Sequence, residues 1–202
     1  MKFISIETTS NFGSIAVVDN GRIKKEIFFE SPDIAEQLVE KLNCVYEDFD
    51  YVIASVGPGW WTGIRIGLSF AKGLVAGRRE KIYCVDIFES FFYSIRNINE
   101  KFLCIIPSSK EKFFYSEFKG NFKFGKFKIK EVSLSQLIKI IKEKEPILIG
   151  PGILSLKELI EVKKIKTLEF LWYPRASLNG ILAYEKIIQK IPGLPPEPIY
   201  GK

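Results

Sequence analysis

The stretch that decides the fold is YVIASVGPGWWTGIRIGLSFAKGLVAG, residues 51–77. Its apolar start predicts a short buried strand over Val52–Val56, and Gly57-Pro58-Gly59 predicts a turn. A helix follows, and Thr62 is placed to cap its N-terminus. The stretch therefore predicts a strand, a turn and a helix in succession, which is the building pattern of an α/β protein.

Small residues recur every four positions along this helix, at Gly63, Gly67 and Ala71. Residues four apart share one helix face, so this face is nearly flat. Glycine inside a helix costs about 1 kcal/mol relative to alanine, so a flat face is useful only where another backbone or a ligand comes close. The pattern predicts a close contact on this face.

The rest of the first half alternates between strand and helix patterns. Three strands come first, with Asn20-Gly21 as a hairpin turn between the second and third. A helix over Asp33–Leu42 follows, and after the residue 51–77 stretch come a strand over Lys81–Val85 and a helix over Phe88–Ile95. Strands that first meander and then alternate with helices predict a mixed sheet. The three opening strands are predicted over Lys2–Ile6, Ser14–Val18 and Arg22–Phe29.

The second half repeats the pattern more weakly. Another helix is predicted to start near Leu154, and the last regular helix is predicted over Ser177–Lys190. A soft boundary near Asn97–Lys101 divides the chain into an N-terminal lobe, 1–99, and a reduced C-terminal lobe, 100–202, which ends in a proline-rich tail. The other elements expected in the second half are strands over Phe102–Ile106, Phe113–Phe118 and Ile147–Ile149, one or two strands over Phe122–Val132, and a helix over Ser133–Lys144 with Ser133 as a cap.

Composition places the chain among soluble globular proteins. Its 202 residues are 47% hydrophobic and 27% charged, which suits one domain or two small lobes. No apolar run reaches the roughly 18–20 residues that span a bilayer, so we expect a cytoplasmic protein without a membrane segment. The formal charge of +6 favours an acidic partner or RNA without deciding between them.

Histidine is absent from the chain, and this excludes several enzyme classes. A Ser-His-Asp triad, a Cys-His pair and a histidine metal cluster all need it. We therefore expect no catalytic residues of these kinds, no metal site and no cofactor.

Three segments carry a resemblance to a known family. GPGWWTGIRIGLSFAKGL at residues 57–74, ISIETTSNFGSIAVVDNG at residues 4–21 and PEPIYGK at residues 196–202 resemble the TsaB (YeaZ) family, a bacterial subunit in the making of threonylcarbamoyladenosine on tRNA. The resemblance covers about the first 90 residues and the tail, and the middle only loosely. It implies an actin-like ATPase (ribonuclease H-like) fold of the sugar-kinase superfamily, with two lobes of mixed sheets flanked by helices and a reduced second lobe.

The resemblance also implies a function through partners. The family's members are non-catalytic scaffold or activator subunits that bind a TsaD-like catalytic subunit, supported by a TsaE-like ATPase, and meet tRNA indirectly through the complex. Alone, such a chain is expected to form a homodimer. Tryptophan and arginine dominate interface energetics. The residues predicted for the partner interface lie on the two helices and at the entrance of the second: Ile34, Leu38, Leu42, Trp60, Trp61, Gly63, Arg65, Gly67 and Ala71.

An alternative hypothesis is a small ATP-binding enzyme of the same superfamily. Glycines before a helix N-terminus favour a phosphate. Against this, Pro58 removes a backbone donor, Trp60 and Trp61 crowd the approach, and Glu7 stands where the superfamily has Asp. Turn and helix packing is the plainer interpretation. The residues predicted for nucleotide binding are Glu7, Thr8, Gly57, Gly59, Thr62, Gly150 and Gly152.

Aromatic and basic residues alternate over Phe122–Lys130. Such interleaving is typical of surfaces that bind RNA, where lysines follow the backbone and rings stack on bases. It is equally typical of an ordinary strand with one packed face and one lysine face, which is the favoured interpretation.

Overall fold

The computed structural model describes residues 1–30, 33–46, 48–157 and 164–199. The chain divides into two compact units. The first consists of Met1–Ser90 with the C-terminal segment that begins at Pro174, and the second consists of Phe91–Tyr173. This division differs from the predicted lobes 1–99 and 100–202, chiefly because the C-terminal segment belongs with the N-terminal sheet.

The first unit is built on a five-stranded mixed sheet of order β3-β2-β1-β4-β5. The first three strands are antiparallel neighbours, whereas β4 runs parallel to β1 and β5 parallel to β4. The predicted mixed sheet is therefore confirmed. Its strands are β1 (Lys2–Glu7), β2 (Phe12–Asp19), β3 (Arg22–Glu30), β4 (Tyr51–Ser55) and β5 (Lys81–Val85).

Helices cover both faces of this sheet. Alternation along β1 sends Ile4 and Ile6 into one core, shared with α1 (Ile34–Val45) and α2 (Trp61–Val75). The opposite face packs on the last helix, α5 (Ala176–Ile188), where Gly180 lies against Val18 and Ser5. After β5 the chain forms α3 (Ile87–Ser94).

The start of α2 differs from the prediction. Trp60, not Thr62, occupies the N-cap position, and the backbone N–H of Ile64 donates to the Trp60 carbonyl at 3.0 Å. The prediction of a Thr62 cap was wrong because the first turn of α2 is fixed by contact with the residues that follow β1, and not by the Thr62 hydroxyl. The Trp60 N–H donates to the carbonyl of Thr9 at 2.6 Å.

The second unit has its own four-stranded sheet, of order β8-β7-β6-β9. Leu103, Ile105 and Leu137 belong to the core between this sheet and α4, which begins with the predicted Ser133 cap, here a full capping box. A 3₁₀ helix over Pro151–Leu156 starts before the helix predicted near Leu154, whose continuation lies outside the described residues. The remaining elements are β6 (Lys101–Pro107), β7 (Lys112–Lys119), β8 (Lys130–Ser133), β9 (Ile147–Ile149), α4 (Leu134–Lys144) and a second 3₁₀ helix, Glu169–Leu171.

The strand predicted over Phe122–Val132 is wrong for most of its length. Only Lys130–Ser133 pairs as a strand, and the preceding residues form turns in which Asn121 and Gly125 have positive φ. Packing explains the difference. The rings of Phe122, Phe124 and Phe127 join a cluster with Phe92, Tyr93 and Phe118 instead of lying on one face of a sheet.

Candidate functional site

The carboxyl ends of the parallel strands bring together Glu7, the Gly57-Pro58 turn and Asp86. Since β1, β4 and β5 are parallel, their ends meet at one edge of the sheet, which is where open α/β sheets bind ligands. All three features belong to the first unit.

Glu7 is fully buried and both of its carboxylate oxygens are occupied. The Thr9 backbone N–H donates to Oε1 at 2.6 Å, and the Asn179 side-chain amide donates to Oε2 at 2.7 Å. Burial raises the pKa of the Glu7 carboxyl, and the hydrogen bonds from Thr9 and Asn179 partly oppose this. The side chain thus ties the end of β1 to α5.

The network continues from Asn179 into α3. Ser90 Oγ donates to Asn179 Oδ1 at 2.6 Å, and Asp86 Oδ1 accepts from the backbone N–H groups of Phe88 and Glu89 at 2.7 and 3.3 Å. Burial raises the pKa of Asp86 to about 7, against the lowering effect of these N–H donors. Asp86 therefore caps the first turn of α3 at the edge of the sheet where the carboxyl ends of the parallel strands meet.

A buried ion pair completes this network. Lys186 Nζ lies 2.6 Å from Glu89 Oε2, with both side chains at most 5% exposed. Removing one partner of such a pair leaves a buried charge without compensation, which costs about 3–5 kcal/mol. The pair joins α5 to α3 as Glu7 joins α5 to β1.

The glycine turn predicted for a phosphate is packed against the protein's own backbone. A Cβ on Gly59 would meet the Thr9 carbonyl, and one on Gly63 would meet the Thr8 carbonyl. Thr8 Oγ1 donates to the Gly63 carbonyl at 2.8 Å. This close approach of the backbone explains why glycine is needed at both positions, without requiring a bound ligand.

The predicted nucleotide-binding residues fall in both units. Glu7, Thr8, Gly57, Gly59 and Thr62 lie in the first unit, where the side chain of Thr62 is exposed in the first turn of α2. Gly150 and Gly152 lie in the second unit, both against the backbone of Ile105. Nucleotide binding by these residues stays a prediction.

Six of the nine residues predicted for the partner interface point into the first unit. Ile34, Leu38 and Leu42 belong to its core. Gly63, Gly67 and Ala71 are buried too, and a Cβ on Gly67 would meet Thr8 Oγ1. An interface on these helices therefore has to be made by their other residues.

The remaining three predicted residues surround the outer surface of α2. Trp60 and Trp61 are 40% and 51% exposed, and the Arg65 guanidinium lies 5.8 Å from the centre of the Trp61 ring. Beside them a groove of about 570 Å³ runs between α1 and α2. We call this surface the outer groove; its lining residues are Ala35, Val39, Trp61, Thr62, Arg65, Ile66, Ser69 and Phe70.

The apolar residues of the outer groove were not predicted from the sequence. Val39 is 54% exposed, although it is a large hydrophobic residue. The signal was a second apolar pair at i and i+4 on each helix, Ala35 with Val39 and Ile66 with Phe70, beside the main apolar stripe.

The described residues contain neither a metal-binding group of side chains nor a membrane-spanning helix. Over the described ranges, no group of three or more Cys, Asp or Glu side chains could hold a metal ion. In the same part of the chain, no helix is both long and apolar enough to cross a membrane.

Comparison with known proteins decides the family. Residues 30–180 match the family model described as "TsaD: tRNA N6-adenosine threonylcarbamoyltransferase". The chain belongs to this family. A curated tRNA N6-adenosine threonylcarbamoyltransferase from Borrelia garinii is 29% identical over an alignment of 117 residues, and the match covers 46% of this chain and 35% of the relative. The chain thus matches about a third of the length of the curated TsaD proteins.

Solved structures give the fold of this TsaD-family chain. YeaZ from Pseudomonas aeruginosa superposes with a TM-score of 0.68 at 15% identity, covering 98% of this chain and 99% of YeaZ. A Bacteroides thetaiotaomicron protein with an actin-like ATPase fold and unknown function superposes with a TM-score of 0.50 at 10% identity, covering 90% and 95%. The predicted actin-like fold and the resemblance to the TsaB (YeaZ) family are confirmed.

Proposed function

We propose that this chain is a non-catalytic scaffold and activator subunit that binds a TsaD-like catalytic partner in the threonylcarbamoyladenosine modification of tRNA. The observation that carries the proposal is the outer groove. It exposes Trp61 beside Arg65 on α2, and tryptophan and arginine are among the residue types that supply most of the binding energy at protein interfaces. Val39 on α1 adds an exposed apolar side chain to the same groove. Because tRNA is the proposed substrate of the complex, we place the chain in the cytoplasm.

The chemistry of the chain supports a role without catalysis of its own. The carboxylates at the ligand edge of the first sheet, Glu7 and Asp86, are engaged by Thr9, Asn179 and the start of α3. Histidine is absent from the sequence. The transfer of the threonylcarbamoyl group is therefore assigned to the TsaD-like partner, with a TsaE-like ATPase supporting turnover.

The test is co-expression of the chain with a TsaD-like protein and a TsaE-like ATPase. We expect the TsaD-like protein to co-purify, and we expect threonylcarbamoyl transfer to tRNA to need this chain. A Val39→Asp/Trp61→Ala double variant should weaken co-purification at least 10-fold, since it removes an apolar anchor and places a charge in the groove. Phe170→Ala is the matched control, because Phe170 is 58% exposed in the second unit.

Two results would contradict the proposal. One is threonylcarbamoyl transfer by the purified chain alone. The other is unchanged co-purification of the Val39→Asp/Trp61→Ala variant, which would move the interface away from the outer groove.

The alternative proposal remains a small ATP-binding enzyme. It is favoured by the position of Glu7 and Asp86 at the carboxyl edge of the parallel strands, in a fold shared with an actin-like ATPase-fold protein. A calorimetric titration of the chain with ATP and Mg²⁺ separates the two proposals. The enzyme needs binding in the micromolar range, which Glu7→Gln should reduce, whereas the scaffold needs none.

A further inference from the structure

The net positive charge of the chain comes from one of its two units. The second unit, Phe91–Tyr173, contains 16 Lys and Arg against 9 Glu, a net charge of +7. The rest of the chain contains 14 basic against 15 acidic residues, a net charge of −1, which accounts for the total of +6. If the protein binds an acidic partner, the second unit is therefore where we expect it to bind.

Within the second unit, the densest basic segment is the connection between β7 and β8. Residues 119–130 contain five lysines and no acidic residue. We call this segment the lysine loop. Its lysines, Lys119, Lys123, Lys126, Lys128 and Lys130, are all exposed, and they take part in none of the described ion pairs, which in this unit use Lys112, Lys139 and Lys144.

Aromatic packing holds the lysine loop in place. Phe122 and Phe124 lie 5.5 and 6.1 Å from the Tyr93 ring, centre to centre, and Phe127 lies 5.7 Å from the ring of Phe92. A turn closes the loop, where the Lys126 N–H donates to the Lys123 carbonyl at 3.2 Å. With the rings packed inward and the lysines exposed, the loop is a fixed basic ridge.

Arg96 adds a cation beside the same cluster. Its guanidinium stacks over Tyr93, 3.9 Å from the ring centre, and its Nη1 donates to the Tyr93 carbonyl at 2.8 Å. The side chain is exposed at the surface of the aromatic cluster. The ridge therefore presents up to six cations around one aromatic cluster: Arg96, Lys119, Lys123, Lys126, Lys128 and Lys130.

We propose that the lysine loop binds the phosphate backbone of RNA, and of tRNA in particular. The identity of the RNA rests on the proposed function in tRNA modification, whereas the polyanion chemistry rests on the loop itself. Exposed lysines that take part in none of the described ion pairs can neutralise backbone phosphates and release counterions, which gives affinity without sequence preference. The aromatic rings are packed against each other, so the binding does not use base stacking.

The proposal commits to a nucleic acid instead of a lipid surface. Lysines that bind an anionic membrane act together with apolar residues inserted beside them. Here the apolar residues of the loop, Phe122, Phe124, Phe127 and Ile129, are half-buried and so do not extend beyond the lysines.

The experiment measures binding of a fluorescent tRNA transcript by the full chain over a range of salt concentrations. For the wild type, the affinity should fall steeply as salt rises. Lys123→Gln/Lys126→Gln/Lys128→Gln should lower the affinity at least 10-fold at about 50 mM salt. It should also reduce the slope of log K against log [salt] by about 2–3, since each phosphate contact contributes about 0.7–0.9.

Two matched variants separate local charge from other effects. Lys24→Gln/Lys72→Gln/Lys81→Gln removes three exposed cations from the first unit, and we expect its affinity to stay within about 2-fold of the wild type. Lys123→Arg/Lys126→Arg/Lys128→Arg keeps the charge in the loop and should bind tRNA as the wild type does. Far-UV circular dichroism of each variant checks that the chain is folded.

Three results would overturn the inference. They are equal losses in the loop variant and the first-unit variant, no salt-dependent tRNA binding by the wild type, and loop-dependent binding to phosphatidylserine vesicles without binding to tRNA. Co-purification with a TsaD-like protein is an independent measurement. If it fails while the loop still binds tRNA, the scaffold proposal fails alone; if it succeeds while the loop variant binds tRNA normally, this inference fails alone.

Discussion

The inner face of α2 presents Gly63, Gly67 and Ala71 to the end of β1, whereas its outer face presents Trp61 and Arg65 to the surface. Both sets recur at four-residue spacing, so sequence periodicity alone does not tell which face is internal. On α2 the stripe of small residues therefore marks close approach of a backbone, and the approaching backbone is the protein's own. The set that we propose to face a partner is the one with large side chains left in solvent.

Substitution of glycines along α2 tests this comparison most strongly. Gly63→Ala would place a methyl group against the Thr8 backbone carbonyl, so we expect it to lower the free energy of unfolding by about 3 kcal/mol or more. Gly73 lies in the same helix with nothing within 4 Å of its Cβ position, so Gly73→Ala should raise stability by up to about 1 kcal/mol. Urea denaturation of the two variants measures both effects. Equal changes in the free energy of unfolding for Gly63→Ala and Gly73→Ala would show that the inner face of α2 is not closely packed at Gly63.

The buried carboxyl group of Asp86 gives a second, pH-dependent test of the inner side. In the unfolded chain this group ionises near 3.8, whereas in the folded chain its pKa is raised to about 7. Its contribution to stability is therefore complete below pH 3.8, falls as the pH rises from about 4 to 7, and is constant above that. Glu89 raises this pKa further and Lys186 lowers it.

Asp86→Asn should remove this dependence, because asparagine keeps the acceptor oxygen and has no proton to lose. Between pH 4 and pH 8 we expect the wild type, but not the variant, to lose about 3–4 kcal/mol of unfolding free energy, measured by urea denaturation at both pH values. Asp33→Asn is the control, since Asp33 caps α1 through the Glu36 N–H at an exposed position. Parallel stability curves for wild type and Asp86→Asn would show that the carboxyl group titrates normally.

The smallest expected effect on stability belongs to the outer face. Trp61→Ser should change the free energy of unfolding by no more than about 0.5 kcal/mol, because half of the side chain is already in water. We also propose that the isolated chain covers its outer groove by forming a homodimer, as an exposed apolar patch favours. Light scattering at tens of micromolar should then show a dimer for the wild type and a monomer for Trp61→Ser. A wild-type monomer would contradict the dimer without affecting the glycine comparison.

The sequence predicted regular elements well where the signal was local. The strand over Lys81–Val85 and the Ser133 cap agree with the structure residue by residue, since alternation and capping are set by neighbours in the chain. The predicted Thr62 cap was wrong because the contact of Trp60 with Thr9 fixes the start of α2. The strand predicted over Phe122–Val132 was wrong for most of its length because the rings of this segment pack on Phe92 and Tyr93. Local propensity carries no information about such contacts.

The candidate site was predictable only in part for the same reason. Trp60, Trp61 and Arg65 were found because their residue types stand out near a turn. Val39 and Phe70 became visible only when α1 and α2 were placed side by side. The polar network at Glu7 was hidden because Asn179 has no distinguishing sequence context.

The return of α5 to the first sheet has a consequence for how the chain is made. Glu7 and its partner Asn179 are 172 residues apart, so the N-terminal sheet cannot complete its polar network until the ribosome has released most of the chain. At about 5–20 residues per second, the interval between synthesis of Ser90 and of α5 is roughly 5–20 seconds. The residues of the second unit, Phe91–Tyr173, are synthesised during that interval, and throughout it the first sheet lacks α5. The nascent N-terminal residues should therefore stay sensitive to protease until α5 has been made and has packed on their sheet.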